Sequence, residues 1–144
     1  MKIGRRLAIK LLNATKFALA IGREDDQHHV AQGATATWRP QDVTEPLDRA
    51  AMAKMSLVVK QATDYLNNYE HSKALEVIEN YFWQFCDDYI ELVKNRAYGT
   101  ADATGSTPSE AAVLSARTTL GLGLDAFARL LAPYGQSRAR TSWR

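Results

Sequence analysis

The fold of this chain is decided by residues 81–94, which read Tyr-Phe-Trp-Gln-Phe-Cys-Asp-Asp-Tyr-Ile-Glu-Leu-Val-Lys. At 100° per residue, the apolar side chains of this stretch and of the residues before it share one broad arc of a helix. So wide an arc needs at least two neighbouring helices to cover it, which predicts a bundle with the aromatic rings in its core. The predicted buried positions are Ala74, Leu75, Ile78, Tyr81, Phe82, Phe85, Cys86, Tyr89, Ile90, Leu92 and Val93.

Three further segments predict helices around this one. The first covers residues 2–21 and turns Leu7, Leu11, Ala14 and Ala18 toward the core. The second begins near Pro46, with Asp42 or Thr44 as its cap, and continues to about residue 68. A long polar loop, from Gly22 to about Gln41, separates these two helices.

The last two helices are bounded by clear signals. The helix of residues 72–98 ends at Gly99. The sequence Thr107-Pro108-Ser109-Glu110 has the spacing of a capping box and opens the next helix, which is expected to end near Leu131, before Pro133. Gly121 and Gly123 weaken the middle of that helix by about 1 kcal/mol each. Four helices joined mainly by short links predict an all-α antiparallel bundle.

Composition divides the chain into a body and a tail. The chain has 144 residues and is 46% hydrophobic and 24% charged, as expected for one globular domain. Residues 1–134 contain fifteen Lys and Arg against sixteen Asp and Glu, so the formal charge of +2 comes from arginines of the last ten residues. We expect residues 1–134 to form the helical domain and residues 135–144 to form a basic, disordered tail.

The first helix has a basic face. Its polar side chains fall within about 140° of arc, where they can neutralise phosphates or simply meet solvent. Unstacked bases are usually held on aromatic or arginine planes, for which Trp83 and Trp38 are candidates. The face is formed by Lys2, Arg5, Arg6, Lys10, Asn13 and Lys16.

Several motifs together resemble one protein family. They read IGRRLAIKLLNATKF at 3–17, PLDR at 46–49, YEHSKAL at 69–75, the stretch 81–94, RAYG at 96–99 and LLAPY at 130–134. In this order they resemble the anticodon-binding domain of valyl-tRNA synthetases, which are class I aminoacyl-tRNA synthetases. The resemblance implies the antiparallel four-helix bundle of the anticodon-binding type. It also implies binding of the valine tRNA anticodon stem and loop, as part of cytoplasmic valine–tRNA ligase in translation.

The resemblance also implies partners and site residues. The expected partners are tRNA and the remainder of the synthetase, with neither DNA nor a membrane among them. The expected tRNA-binding residues are Arg5, Arg6, Lys10, Asn13, Lys16, Trp83, Lys94 and Arg96.

No catalytic residue, metal site or cofactor is expected in this chain. It resembles neither the catalytic nor the editing domain of the family, so ATP and magnesium would belong to the absent catalytic domain, and the chain alone is not expected to be an enzyme. His28 and His29 lie beside Asp25 and Asp26 in the predicted loop and are expected to be solvated. A solvated helix edge is likewise expected for Asp87, Asp88 and Glu91. Cys86 is the only cysteine and is expected to be buried and inert.

Other interpretations stay open on sequence alone. The chain is also compatible with a free-standing helical interaction module, or with a truncated, non-functional fragment. An Arg- and Ser-rich tail after Tyr134 is what a truncation or a change of reading frame would produce. Residues 1–23 are basic and contain no acid, a composition also found in organelle-targeting peptides and membrane-surface helices.

Overall fold

The computed structural model describes the backbone of residues 4–29 and 38–141, and the side chains of residues 4–21 and 38–134. Every regular element in these ranges is helical, which confirms the predicted fold class. The elements are α1 (Arg5–His29), a short 3-10 turn (Pro40–Asp42), α2 (Pro46–Asn67), α3 (His71–Gln84), a π-helical turn (Phe85–Tyr89), α4 (Ile90–Tyr98) and α5 (Glu110–Thr141).

The helices α3 and α4, with the π turn between them, form one continuous rod of residues 71–98. On one side of this central rod lies α2, where Tyr81 donates a hydrogen bond to the Ala51 carbonyl over 2.7 Å. On the other side lies α1, where Phe17 meets the ring of Tyr98 edge-on, with centroids 5.4 Å apart. Both α1 and α2 also contact α5. The four rods therefore form a bundle in which α1 and α2 occupy opposite sides.

An aromatic cluster fills the centre of the bundle. Phe82, Phe85 and Phe127 are almost wholly buried, and the Phe127 centroid lies 5.2 Å from Phe82 and 5.5 Å from Phe85. Edge-to-face contacts of this kind add to the free energy gained by burying the rings. The predicted buried arc is confirmed at every position except Leu92, which is 70% exposed.

The π turn explains why the prediction for Leu92 was wrong. Its backbone closes i→i+5 rather than i→i+4 hydrogen bonds, so the residues after it are rotated relative to a pattern counted at 100° per residue. Continuous α-helix geometry would place Leu92 beside Ala74, whereas the rotated rod turns Leu92 outward and Val93 and Ala97 inward.

A buried carboxylate joins three of the rods. Asp48 in α2 is fully buried and accepts hydrogen bonds from Arg96 of α4 over 2.5 and 2.8 Å. It also accepts bonds from Tyr89 over 2.5 Å and from Ser115 of α5 over 2.6 Å. Burial alone would raise the pKa of Asp48, but the bonds from Arg96, Ser115 and Tyr89 outweigh it and hold the pKa below its ordinary value. Asp48 is therefore ionised in the folded chain near neutral pH.

The start of α2 is capped from another helix. The Ser115 hydroxyl accepts hydrogen bonds from the backbone N–H groups of Thr44 and Glu45 over 3.0 and 3.1 Å. Glu45 occupies the N-cap position without a side-chain bond of its own. The prediction of Asp42 or Thr44 as the cap was therefore wrong, because a distant hydroxyl satisfies these donors and Asp42 pairs with Arg39 instead.

The start of α5 and the end of α1 differ from expectation, whereas the end of α4 agrees with it. Ser109, not Thr107, caps α5 through a 3.2 Å bond to the Ala112 N–H, so Pro108 precedes the helix. Residues 22–29 continue α1 as helix, since Arg, Glu and Gln favour helix even where no apolar period marks one. Of the rest of the predicted loop, residues 30–37 lie outside the described residues, and its end is part of the 3-10 turn Pro40–Asp42. Gly99 ends α4 at a left-handed φ of 72°, as predicted.

The C-terminal end of α5 extends past Pro133. The prediction that the helix ends near Leu131 was wrong, because α5 continues to Thr141. Tyr134, just after the proline, is buried and donates a 3.0 Å hydrogen bond to the His71 carbonyl, which holds this part of α5 against α3. The backbone of residues 135–141 is therefore helical, in contrast to the disorder expected for the tail. The division into a body and a basic tail stays a prediction, and residues 142–144 lie outside the described range.

Two glycines of α5 permit close helix packing. A Cβ atom on Gly121 would lie 2.3 Å from the Trp38 ring, and one on Gly123 would lie 2.7 Å from Cζ of Phe85. Such distances are too short for real carbon contacts. The helix propensity lost at these positions is therefore offset by aromatic packing that a larger residue would prevent.

We expect Asp48→Asn to destabilise the fold by about 3 kcal/mol or more, because it leaves the partly buried Arg96 guanidinium without its charge partner. Urea denaturation at pH 7 measures this loss. The matched control is Asp125→Asn, which breaks the exposed pair with Arg129 and should cost less than about 0.5 kcal/mol. Equal losses in the two variants would contradict the assigned role of Asp48.

The same carboxylate predicts a dependence of stability on pH. Because the folded pKa of Asp48 is lowered, its contribution is complete above the unfolded pKa of about 3.9 and is lost as pH falls through the folded value. The difference in unfolding free energy between the parent chain and Asp48→Asn should therefore shrink below about pH 4. A difference that stays constant with pH would argue against an ionised Asp48.

We expect Gly123→Ala to destabilise the fold by about 1–3 kcal/mol, although alanine is the better helix former, because the added methyl group collides with Phe85. Thermal unfolding measures this effect. Adding Phe85→Leu removes the colliding ring end, so Gly123→Ala should cost less when combined with Phe85→Leu than alone. Full additivity of the two changes would show that the contact does not constrain residue 123.

Candidate nucleic-acid interface

Between α1 and the central rod lies an open cleft of about 620 Å³. The helix α1 contributes four residues to it, and the central rod contributes an aromatic ring and a carboxylate. We call it the α1–α3 cleft, and its lining residues are Arg6, Ile9, Lys10, Asn13, Trp83 and Asp87. Four of the predicted tRNA-binding residues, Arg6, Lys10, Asn13 and Trp83, are therefore brought together.

Two contacts define the geometry of the α1–α3 cleft. The guanidinium carbon of Arg6 lies over the ring of Trp83, 5.9 Å from its centroid, within the range of a cation–π interaction. Lys10 Nζ lies 3.8 Å from Oδ1 of Asp87, at the outer limit for an ion pair, and both side chains are open to solvent. Such an exposed pair contributes little to stability, so Lys10 can exchange Asp87 for another anion.

A second, smaller groove continues from this cleft toward α4. Lys10 and Asn13 line both sites, and the groove adds Phe17, Glu91 and Lys94. Because Lys94 is exposed, its ammonium extends the basic surface of α1 onto α4. The predicted residues Lys10, Asn13 and Lys94 thus form one continuous surface with the α1–α3 cleft.

Two predicted residues of α1 lie outside both depressions. Arg5 and Lys16 are exposed on the same helix, and Lys16 follows Asn13 by three residues. Residues three apart on a helix are neighbours on its surface, so Lys16 extends the basic face beyond Asn13. Both residues therefore add positive charge at the rim. Lys2, which also belonged to the predicted face, lies outside the described residues.

The structure does not bring Trp38 to this surface. The Trp38 ring is half-buried against Gly121 and lines a groove between α1 and α5 with Thr15 and Leu19. It therefore lies apart from Trp83, which alone of the two candidate tryptophans is placed beside the basic face.

Arg96 is an expected site residue that the structure places partly buried between α2 and α5. Its guanidinium bonds to both oxygens of Asp48 and also donates to the Ala112 carbonyl over 3.1 Å. The hydrogen bond to Asp48 raises its pKa further above an already high value. These donors are used within the fold, and the expected tRNA contact of Arg96 stays a prediction. The sequence Pro46-Leu47-Asp48-Arg49 does not indicate that Asp48 would pair with Arg96.

The carboxylates of the central rod separate at the π turn. Asp87 enters the α1–α3 cleft and Glu91 lines the groove beside it, whereas Asp88 faces the α2 side with Leu47 and Lys54. All three carboxylate residues are exposed, as the sequence predicted. Among the described side chains no group of three metal-ligating residues forms, and the side chains of His28 and His29 lie outside that range.

Cys86 lies beneath the groove and is 2% exposed. Burial raises the pKa of its thiol to about 12 and outweighs the opposite effect of neighbouring Lys10. Since the thiolate is the reactive form, the folded chain holds this cysteine in an unreactive state.

Comparisons with known proteins agree with this geometry. A family model for the anticodon-binding domain of tRNA ligases matches residues 48–134. The chain is 81% identical over 134 residues to the valine–tRNA ligase of Bifidobacterium longum (strain DJO10A), covering 93% of this chain and 15% of that protein. It is 47% identical over 134 residues to the valine–tRNA ligase of Thermobifida fusca, covering 93% of this chain and 13% of that protein. No solved structure matches.

The chain belongs to the family of anticodon-binding domains of tRNA ligases. Both of these relatives are valine–tRNA ligases, as the sequence motifs predicted. A further relative, the valine–tRNA ligase of Leifsonia xyli subsp. xyli, is 45% identical over all 144 residues and is matched over 14% of its own length. The chain thus spans 15% or less of the length of these relatives.

We expect Cys86 in the folded chain to resist thiol reagents at pH 8, where a pKa of about 12 leaves almost no thiolate. Ellman's reagent should modify less than about 5% of it during a time in which urea-unfolded chain reacts completely. Rapid labelling of the folded chain would show that this part of the bundle opens readily.

Proposed function

We propose that this chain binds the anticodon arm of a valine-specific tRNA, through the α1–α3 cleft and the basic residues of α1. The observation that carries the proposal is the meeting of Arg6, Lys10 and Asn13 with Trp83 in one open cleft. The family assignment supports the same proposal, because the model that matches residues 48–134 describes an anticodon-binding domain of tRNA ligases, and the relatives are valine–tRNA ligases.

Charge supports the proposal at the level of the phosphate backbone. Arg5, Arg6 and Lys16 are exposed on α1, and Lys94 adds a further cation from α4. Each contact with a phosphate releases counterions from the RNA, so several such residues give affinity that depends strongly on salt. The body as a whole is close to neutral, which makes this local surface, rather than the overall charge, the source of attraction.

The aromatic ring supports the proposal at the level of the bases. Single-stranded RNA loops are recognised by stacking their bases on aromatic or arginine planes. Trp83 is half-buried, packs against Phe82 at 5.6 Å and so presents a fixed plane beside the basic face. An anticodon loop supplies unpaired bases next to a charged backbone, which matches this combination.

The remainder of a valine–tRNA ligase is the second partner that we propose, since the relatives are more than six times longer than this chain. In that context aminoacylation, with its ATP and magnesium, would take place outside this bundle, which itself would use no cofactor and carry no catalytic residue.

The described helices include none with the length and apolar character of a membrane span. A cytoplasmic location, without DNA or membrane as a partner, completes the proposal.

We expect Arg6→Glu with Lys10→Glu to weaken binding of a valine tRNA transcript at least 10-fold in about 100 mM salt. The slope of log affinity against log salt should also become shallower by about two. Fluorescence anisotropy with labelled transcript between about 50 and 200 mM salt measures both quantities.

The control is Lys54→Glu with Lys60→Glu, which makes the same change in net charge at exposed positions of α2, on the opposite side of the central rod. That variant should keep its affinity within about 3-fold of the parent chain, because only long-range electrostatics change. Equal weakening by both variants would exclude the α1–α3 cleft as the binding surface.

A further inference from the structure

An apolar groove lies between α2 and the central rod, on the side of the rod opposite α1. It is open to solvent and has a volume of about 370 Å³. Leu47 and Lys54 line it from α2, and Asp88 and Leu92 line it from the rod, together with the buried ring of Phe85. We call it the α2–rod groove. It is separate from the α1–α3 cleft, because α1 and α2 flank opposite sides of the rod.

Exposed leucines surround the α2–rod groove. Leu47 is 44% exposed and Leu92 is 70% exposed. Leu57, which is 47% exposed, follows Lys54 by three residues and is therefore its neighbour on the surface of α2. A single exposed leucine is ordinary, but several of them along one groove are typical of a contact surface.

The outward position of Leu92 results from the π turn. The turn rotates α4 so that Val93 and Ala97 enter the core, and Leu92 points away from it. Such π bulges interrupt the regular helical hydrogen bonds and occur frequently at functional sites. The α2–rod groove therefore owes its most exposed leucine to a local geometry that is common where proteins carry out a function.

The residues that line the groove include one charge of each sign. Lys54 and Asp88 are both exposed, and neither has an ion-pair or hydrogen-bond partner among the described residues. The two charges cancel, so two copies of this surface would not repel each other. If two copies meet about a two-fold axis, Lys54 of each copy can face Asp88 of the other, and the pair forms twice. The surface is thus complementary to itself.

We propose that the α2–rod groove is the interface of a homodimer, in which the exposed leucines of each copy pack into the groove of the other. Lys54 of each copy pairs with Asp88 of the second copy across the two-fold axis. This contact removes the leucines of both copies from water at once. The α1–α3 clefts stay open, because they lie on the far side of each rod. The inference goes beyond the proposed function, and its test needs no RNA.

Sedimentation equilibrium of the chain tests the proposal. The mean mass should rise with concentration from the 16.0 kDa of one chain toward twice that value. We expect a dissociation constant of about 10–100 µM, as for a small interface. Leu92→Ser should raise it at least about 10-fold, because each copy loses an apolar contact. The matched control is Leu12→Ser, an exposed leucine of α1, which should change it less than about 2-fold.

An exchange of charges tests the pairing across the axis. Lys54→Glu alone and Asp88→Lys alone each bring like charges together twice, so each should weaken the dimer at least about 5-fold. The two changes combined restore opposite charges and should return the dissociation constant to within about 3-fold of the parent chain. Lys60→Glu makes the same charge change at another exposed position of α2 and should have little effect. Thermal unfolding checks that each variant is folded.

A chain that keeps the mass of one copy at every concentration would overturn the inference and leave the groove to a different partner, such as the remainder of a longer chain. A dimer that Leu92→Ser does not weaken would also overturn it, because another surface would then form the contact. Failure of the combined charge variant to recover would exclude the two-fold pairing of Lys54 with Asp88. Each of these results leaves the proposed RNA binding intact, since that function is tested at the α1–α3 cleft.

Discussion

The bundle depends on the ion pair between Asp48 and Arg96. Asp48 is fully buried in α2, and an isolated carboxylate there would be costly to desolvate. Its charge is stabilised by hydrogen bonds from Arg96 of α4, Tyr89 of the π turn and Ser115 of α5. These elements can satisfy one carboxylate only in a single relative register, so the interaction specifies how the rods align as well as holding them together.

That alignment also determines the surface on the opposite side of the central rod. The π turn that carries Tyr89 inward to Asp48 carries Asp87 outward to Lys10. Gly123 lets the Phe85 ring approach α5 closely, and this contact fixes the distance between the π turn and α5. The charged cleft and the buried ion pair are therefore two faces of one segment, and a change in its helical geometry would alter both.

Much of the fold could be predicted from the sequence because apolar periodicity is a local property. The four rods, the buried face of α1 and the stop at Gly99 all follow from spacing within about one turn of helix. The failures involve contacts between distant residues. Ser115 caps a helix some seventy residues earlier, and the π turn at residues 85–89 rotates Leu92 out of a pattern that assumed a uniform helix.

The candidate site follows the same division. The basic face of α1 was readable from its charges, and its proximity to Trp83 agreed with the resemblance to the family. The sequence could not distinguish Arg96 from the surface arginines, because only the fold shows that its guanidinium pairs with Asp48. The prediction that Asp87 lies on a solvated helix edge is confirmed by its exposure. Helical periodicity could not indicate that Lys10 of another helix would lie opposite it. The apolar periodicity of one helix does not show which of its residues pair with residues of another helix.

The cleft is formed by two helices that are far apart in the chain, and this has a consequence for how binding responds to temperature. Arg6 and Trp83 are in contact only while α1 is docked on the central rod. If α1 separates in a fraction of molecules, the apparent dissociation constant rises by the inverse of the docked fraction, although each helix keeps its own backbone hydrogen bonds. Warming would then weaken binding before circular dichroism detects any loss of helix. Ligand affinity would report on the docking of a single helix, a step that measurements of secondary structure do not see.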